Sequence, residues 1–458
     1  MATGMENKYT LDDISKRLKV STRTLLREIK RGKLKSQRVG RRHLVSEVEI
    51  ESYLGKGRDE DYLEKTISMF LKDVKVEMIS TLQKMVSRPS VASEVGQEAK
   101  LANLIKHKFD KWGIRSNVYE EGSEVAVRAS YGLADDGILL DSPLDTLPPG
   151  DLVKWTYPPF DGVIRKGKMY GRGTADCKAG IVAMMYTILF FRKFFDEEKL
   201  RIEVVFDGGE QDGSFAGMKL VLKRGLPVTA GIVGYAGDMK DILVGARGYH
   251  RYCFTIHGEA VHTGSRYKPG INAISKMTKF INEVESYEFP KPLGSLFSFG
   301  GRLTFSKIEG GRAINMVPDS CSAWLDVRTT PEISKDRLDE DLAKIIDKIK
   351  VRDKNFKIDV QYMVGQQAYM VNPKGKIVEL IGQSCQVVLN RKMYLTASGP
   401  AHVGNLLNES NIPTVVFGPM GENVHSYDEY IEISSIPKVV EIYIRTIIKY
   451  FDIDSNSF

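Results

Sequence analysis

A chain of 458 residues with 42% hydrophobic content is long enough to bury large cores and to hold two or three domains. Its net charge of +7 is unevenly spread: residues 1–58 hold 15 Lys/Arg against 7 Asp/Glu, and the other 400 hold 51 against 52. The longest apolar run, Ile181 to Phe191, is too short for the ~20 residues that cross a bilayer. The start, MATGMENKYT, lacks the basic-then-apolar order of a signal peptide. A cytoplasmic protein with no membrane partner is expected. Four cysteines without a C-x-x-C pair fit free thiols better than a disulfide framework.

The basic excess lies on a patterned segment, Tyr9 to Leu54. Leu11, Ile14 and Leu18 recur at helical spacing, and Ser21 is placed to cap a second helix carrying Leu25, Leu26 and Ile29. Gly32 stops that helix. A hairpin turning at Gly40 and a third helix capped by Ser46 then complete a winged helix-turn-helix over residues 1–55. On the second helix, Arg23, Thr24, Arg27, Lys30 and Arg31 avoid the leucine side and are free to enter a major groove. Arg38, Arg41, Arg42 and His43 would arm the wing for phosphates or the minor groove. The stretch resembles the excisionase/MerR-type DNA-binding domain, which implies double-stranded DNA as partner. Residues 56–73 read as a charged linker, flexible at Gly55 and Gly57 and then helical.

From Val74 the pattern becomes α/β. Strand candidates "GILLDS", "RIEVVFDGG", "AGIVGY" and "TVVFGP" alternate with helical runs such as "AGIVAMMYTILFFRKFF", which predicts a mostly parallel sheet covered by helices over 74–244 and 362–458. Residues 245–361 have their own order of strand, helix, two strands and helix, and read as an inserted ferredoxin-like domain.

The segments "DSPLDTLPPG", "KWTYPPFDGVIRKGKMYGRGTADCKAG", "GEAVHTGSRYKPGINAI", "GGRAINMVPD", "WLDVR" and "NVHSYDEYIEI" occur in that order. Together they resemble the di-zinc aminoacylase/carboxypeptidase-type metallopeptidases, which include acetylornithine deacetylase and succinyl-diaminopimelate desuccinylase. The resemblance implies five metal-ligand positions, which here hold Pro143, Asp176, Gln211, Tyr235 and His425. Only Asp176 and His425 are good ligands. A catalytic zinc takes three protein donors of N, S or carboxylate type plus water. Asp145, which in the family orients a histidine, has a proline two residues before it. Glu210 stands at the general-base position, yet such a base acts on a metal-activated water.

No cofactor and no catalytic residue is therefore expected. One residual metal ion remains open, built from Asp176 and His425 with Asp212, Cys177 and His402. Asp176 has a second reading as a helix cap, and Glu210 as a hydrogen-bonded acid. The resemblance further implies that His262, Asn315 and Arg328 contact substrate, the first two across a homodimer interface. With Asp176, Glu210 and His425 they form the expected ligand-binding set for a small amino-acid-derived ligand or peptide. These features point to a transcriptional regulator with an inactive peptidase-like sensor domain. A hydrolase with an unusual metal site and an accessory DNA-binding module is the alternative, and a protein-binding scaffold is the third reading.

Overall fold

The computed structural model describes residues 8–40, 42–292, 294 and 296–453, and for residues 48, 51, 52 and 54–61 the backbone course alone. The chain divides into two compact units with the boundary between Lys75 and Val76.

The first unit begins with a short strand absent from the sequence reading, β1 (Lys8–Thr10). Thr10 ends it and starts α1 (Leu11–Leu18) through a reciprocal cap: its hydroxyl accepts from the Asp13 N–H, and the Asp13 carboxylate accepts from the Thr10 N–H. Ser21 caps α2 (Thr22–Lys30), its hydroxyl accepting from the Thr24 N–H at 3.1 Å. The hairpin of β2 (Gln37–Val39) and β3 (Arg42–Ser46) turns at Gly40, whose φ of 60° lies in the left-handed region. The strands pair in the order β1-β3-β2. Ile14, Leu25, Leu34, Val45 and Ile50 form the small core.

Two expectations for this unit need correction. Leu26, expected on the apolar side of α2 with Leu25 and Ile29, is 39% exposed; the inward position on α2 beside Leu25 is taken by Glu28, which faces Arg27 and Arg31 at 3.5 and 3.4 Å. The linker also does not break at its glycines. One helix, α3 (Glu47–Val86), runs 40 residues through Gly55 and Gly57. Each glycine costs ~1 kcal/mol relative to alanine, which a helix anchored at both ends absorbs.

The second unit is built on a nine-stranded sheet. Its centre is parallel, Thr414–Val416, Val228–Val233, Gly137–Asp141 and Arg201–Asp207 lying side by side in that order. Glu124–Gly132 and Arg115–Glu121 extend it antiparallel on one flank, and Asp241–Ala246, Tyr394–Ser398 and Tyr369–Met370 complete the other. The helix Ala179–Phe194 is apolar on nearly all sides and is buried over Ala179–Phe191, as expected of a central core helix. With the turn before it, Thr174–Phe194 is the one described helix long and apolar enough to cross a membrane, and its apolar stretch is buried within the protein. It sits so close to the sheet that a Cβ on Gly180 would lie 2.1 Å from the Gly234 carbonyl oxygen.

Within this unit, residues 248–366 form a separate four-stranded antiparallel sheet. Its order is Arg302–Gly310, Ser320–Thr329, Gly248–His257, Lys357–Gln366. The helices Ala273–Glu285 and Lys335–Arg352 pack on one face, around Phe254, Phe280, Leu325 and Ile346. A further small sheet pairs Tyr430–Glu432 with Lys168–Tyr170. It places Glu429 beneath the turn that carries Asp176.

Candidate functional site

On the first unit, Arg23, Arg27, Lys30 and Arg31 are exposed along α2, and Arg38 and Arg42 are exposed on the wing. Arg27 and Arg31 share the carboxylate of Glu28, which holds their guanidiniums on one side of the helix. Two of the expected contacts are less free than the sequence implied. The Thr24 hydroxyl is engaged with that of Ser21 at 2.9 Å, and the His43 Nδ1 is 2.8 Å from the Ser36 hydroxyl. Arg41 lies outside the described residues.

On the second unit, the turn Thr174–Lys178 delivers Asp176 into a cavity of about 320 Å³, bordered by Glu210, Tyr235, His402 and His425 among others. The turn is held from below by Glu429, which the sequence reading passed over although it lies in the quoted "NVHSYDEYIEI". Its buried carboxylate accepts from the N–H groups of Gly173, Ala175 and Asp176 at 3.1, 2.8 and 3.0 Å, and from Arg172 at 2.8 Å. Burial raises the Glu429 carboxyl, and the Asp176 N–H and Arg172 oppose that rise.

All four carboxylate oxygens of Asp176 and Glu210 accept from a side chain. Asp176 Oδ2 lies 2.7 Å from His425 Nε2 and accepts from the Gln211 amide at 3.1 Å. Its Oδ1 takes the Cys177 thiol at 2.6 Å. Glu210 Oε2 accepts from the same Gln211 amide at 2.8 Å, and Oε1 from the Tyr235 hydroxyl at 3.0 Å. Asp176 therefore does not cap the following helix; it pairs with His425. Burial raises its carboxyl, but the hydrogen bonds from His425 and Cys177 prevail and hold it below the ordinary value. The same bond raises His425. Glu210 is pushed well up by burial and by the neighbouring Asp176 and Asp145, against the Tyr235 hydroxyl.

The residues do not fit a two-metal centre. Pro143 is buried and offers no side-chain donor atom. Gln211 and Tyr235 present protons to the carboxylates that a cation would otherwise bridge. The improvised set does not assemble either. Cys177 is spent on Asp176, the Asp212 carboxylate accepts from the Ser214 N–H, and His402 Nδ1 accepts from the Gly404 N–H at the start of its helix. Among the described residues, no group of three or more His, Cys, Asp or Glu is arranged to hold a metal ion. Asp145 has taken another task, accepting from the N–H groups of Glu210 and Gln211 at 3.3 and 2.9 Å; burial pushes its carboxyl up to about 6.

The expected ligand set is brought together only in part within one chain. Asp176, Glu210 and His425 border the cavity, while Arg328 faces a separate cleft, with Pro400 on the rim of both. His262 and Asn315 are exposed on neighbouring loops of the inserted segment, the Thr263 N–H donating to the Asn315 carbonyl at 2.9 Å, and border neither.

Behind the site, Lys178 is fully buried and donates to the carbonyls of Met85 and Arg88, at the C-terminal end of α3. Burial pulls its ammonium down to about 7. The turn carrying Asp176 is thus tied to the carbonyl of Met85 in the last turn of α3 and to that of Arg88 just beyond it.

Residues 9–58 match the model of a helix-turn-helix domain, and residues 139–449 match that of peptidase family M20/M25/M40. A protein of Staphylococcus aureus described as "Probable succinyl-diaminopimelate desuccinylase" is 26% identical over 400 residues, covering 81% of this chain and 97% of its own. An uncharacterized metallohydrolase of Methanocaldococcus jannaschii is 26% identical over 362 residues, covering 73% and 84%. Among solved structures, a tripeptidase of Staphylococcus aureus superposes with a TM-score of 0.67 at 20% identity over 82% of this chain and 99% of its own. Human carnosine dipeptidase 1 superposes with 0.63 at 14% over 85% and 100%. With the family's sheet, its ordered motifs and this match over two thirds of its length, the chain belongs to peptidase family M20/M25/M40, and it carries a helix-turn-helix domain at its N-terminus.

Proposed function

We propose that this protein is a DNA-binding transcriptional regulator acting in the cytoplasm, whose M20 body binds a small amino-acid-derived ligand or peptide and does not hydrolyse it. The observation that carries this reading is the proton-donor occupancy of all four oxygens of Asp176 and Glu210. His425, Gln211, Cys177 and Tyr235 supply hydrogen bonds to the oxygens that a metal pair would otherwise hold, which supports a site that works without one. The inserted segment, read as ferredoxin-like, serves in this proposal as the homodimer contact. It brings His262 and Asn315 of one chain to the pocket of its partner. Two winged modules then address a pseudo-palindromic operator. Ligand-driven movement of the Asp176 turn reaches α3 through Lys178.

A second reading, a hydrolase with an accessory DNA-binding module, is favoured by the retention of Glu210 and Asp145 and by the desuccinylase described among the relatives. The experiment that tests the first is duplex-DNA titration with the full chain across salt concentrations. Arg27→Ala is expected to cost more on the specific site than on random DNA. Arg42→Ala is expected to weaken both and to lower the salt slope by about 1. Indifference of the full chain to duplex DNA at low salt overturns the regulator reading.

A further inference from the structure

The inserted sheet covers one face with helices and leaves the other open, and that open face concentrates positive charge. Its register sets Arg302 directly opposite Arg328, Arg251 opposite Asp326 and Lys307 opposite Trp324. Arg247 joins them from the segment just before the sheet, its Nε donating to the Gly399 carbonyl at 3.0 Å. Together they border a cleft of about 810 Å³ whose described lining holds five cationic side chains and one carboxylate.

That carboxylate is already shared. Asp326 Oδ2 receives Arg251 at 3.0 Å, and Oδ1 receives Arg328 at 2.7 Å. Arg302 is exposed and, among the described residues, has no acidic partner. Arg247 has a carbonyl and the face of the Phe299 ring, 4.8 Å from its guanidinium. Like charges directly opposite each other on neighbouring strands oppose sheet formation. Lys307 pairs with Glu309 at 2.7 Å, and Arg251 and Arg328 share the one carboxylate of Asp326, so the unbalanced positive charge of the cleft rests on Arg302, Arg247 and that shared pair. Burial, with Arg328 and Arg302 nearby, accordingly holds Arg247 below the ordinary arginine value. A monoanion meets one fork of this set and leaves the rest of the charge. The spacing of several planar donors over one open cleft suits a ligand with at least two anionic groups, each taken by a guanidinium fork.

We propose that this cleft binds a small molecule bearing two or more carboxylate or phosphate groups, with Arg302 and Arg328 gripping one group and Arg247 and Arg251 another. The proposal rests on the reading of the body as a ligand-binding module and names the class of ligand. It does not depend on DNA binding or on the state of the Asp176 cavity.

The test is calorimetric titration of the full-length protein at low ionic strength with citrate, succinate, pyrophosphate and acetate, each matched in ionic strength. Citrate, succinate or pyrophosphate is expected to saturate a single site while acetate does not, and comparison of citrate with pyrophosphate tells carboxylate from phosphate preference. Arg302→Met leaves the Asp326 pairs intact and is expected to weaken binding by about tenfold or more. It is also expected to melt no lower than the parent without ligand, because it removes one of two opposed charges. Binding of acetate as tight as that of the polyanions, absence of saturable binding by all of them, or undiminished binding by Arg302→Met overturns the proposal. Saturable polyanion binding by a protein that ignores DNA sinks the regulator reading and leaves this one standing.

Discussion

Gln211→Glu restores the residue type that a two-metal site uses, and the structure says it will damage this protein when no metal is supplied. The Gln211 amide donates to Asp176 at 3.1 Å and to Glu210 at 2.8 Å. Replacing the amide nitrogen with oxygen removes both bonds and sets a third carboxylate against two others. A hydrogen bond to a charged group contributes ~1.5–3 kcal/mol. Glu210 and Gln211 are only half-buried, so water softens the loss, and the lower end for two bonds gives ~3 kcal/mol. At ~2 °C per kcal/mol for a large domain, the melting temperature falls by ~6 °C. The sign with pH follows from crowding. The added carboxyl and Glu210 both have folded-state values above their unfolded ones, so the folded state holds more protons and stability recovers as pH falls. The assay is thermal melting of the parent, Gln211→Glu and Gln211→Met in chelator between pH 8 and 5. Gln211→Met loses the bonds without adding charge, so its deficit is expected to be smaller and flat with pH. A Gln211→Glu protein that melts with the parent at pH 8, or whose deficit does not shrink on acidification, refutes the claim that proton donors hold this site.

Two further stability predictions follow from buried groups. Glu429→Ala leaves Arg172, only 4% exposed, without its carboxylate and strips three N–H groups of their acceptor, so a loss of ~3–5 kcal/mol is expected in thermal melts; parental stability would contradict the cradle. Burial pulls His250 down to about 4, so its neutral form is favoured in the fold. Its contribution is whole above the unfolded value near 6.5 and is lost as pH falls towards 4, up to ~3 kcal/mol. His250→Asn is expected to flatten the melting curve against pH across that window, and an unchanged slope would rule the residue out.

The sequence made the α-helical spacing of the first unit and the central strands of the second legible because both are local patterns of apolar residues, but not the antiparallel strands on both flanks, which leave the sheet mixed where a mostly parallel one was expected. It did not reveal β1, three residues long, whose partner β3 begins more than thirty residues later. Leu26 departs from expectation because the single buried face of the short α2 runs through Leu25 and the ion-paired stem of Glu28, which leaves Leu26 turned outward. The glycines of α3 read as a break because propensity is weak evidence inside a long helix. In the site, Pro143, Gln211 and Tyr235 were readable one by one. The pattern of donors they join was not, since Tyr235 and Glu210 follow two strands that flank Gly137–Asp141 and meet only once the sheet is assembled, and Glu429 reaches Gly173 across 256 positions.

The central claim is that the M20 site of this chain is complete without metal. The most direct measurement is elemental analysis of full-length protein expressed in zinc-supplemented medium and passed through gel filtration, with hydrolysis of N-acyl amino acids assayed on the same sample. The account predicts no stoichiometric divalent metal and no chelator-sensitive turnover. One or two metal ions held per chain, together with turnover that chelator abolishes, would contradict it.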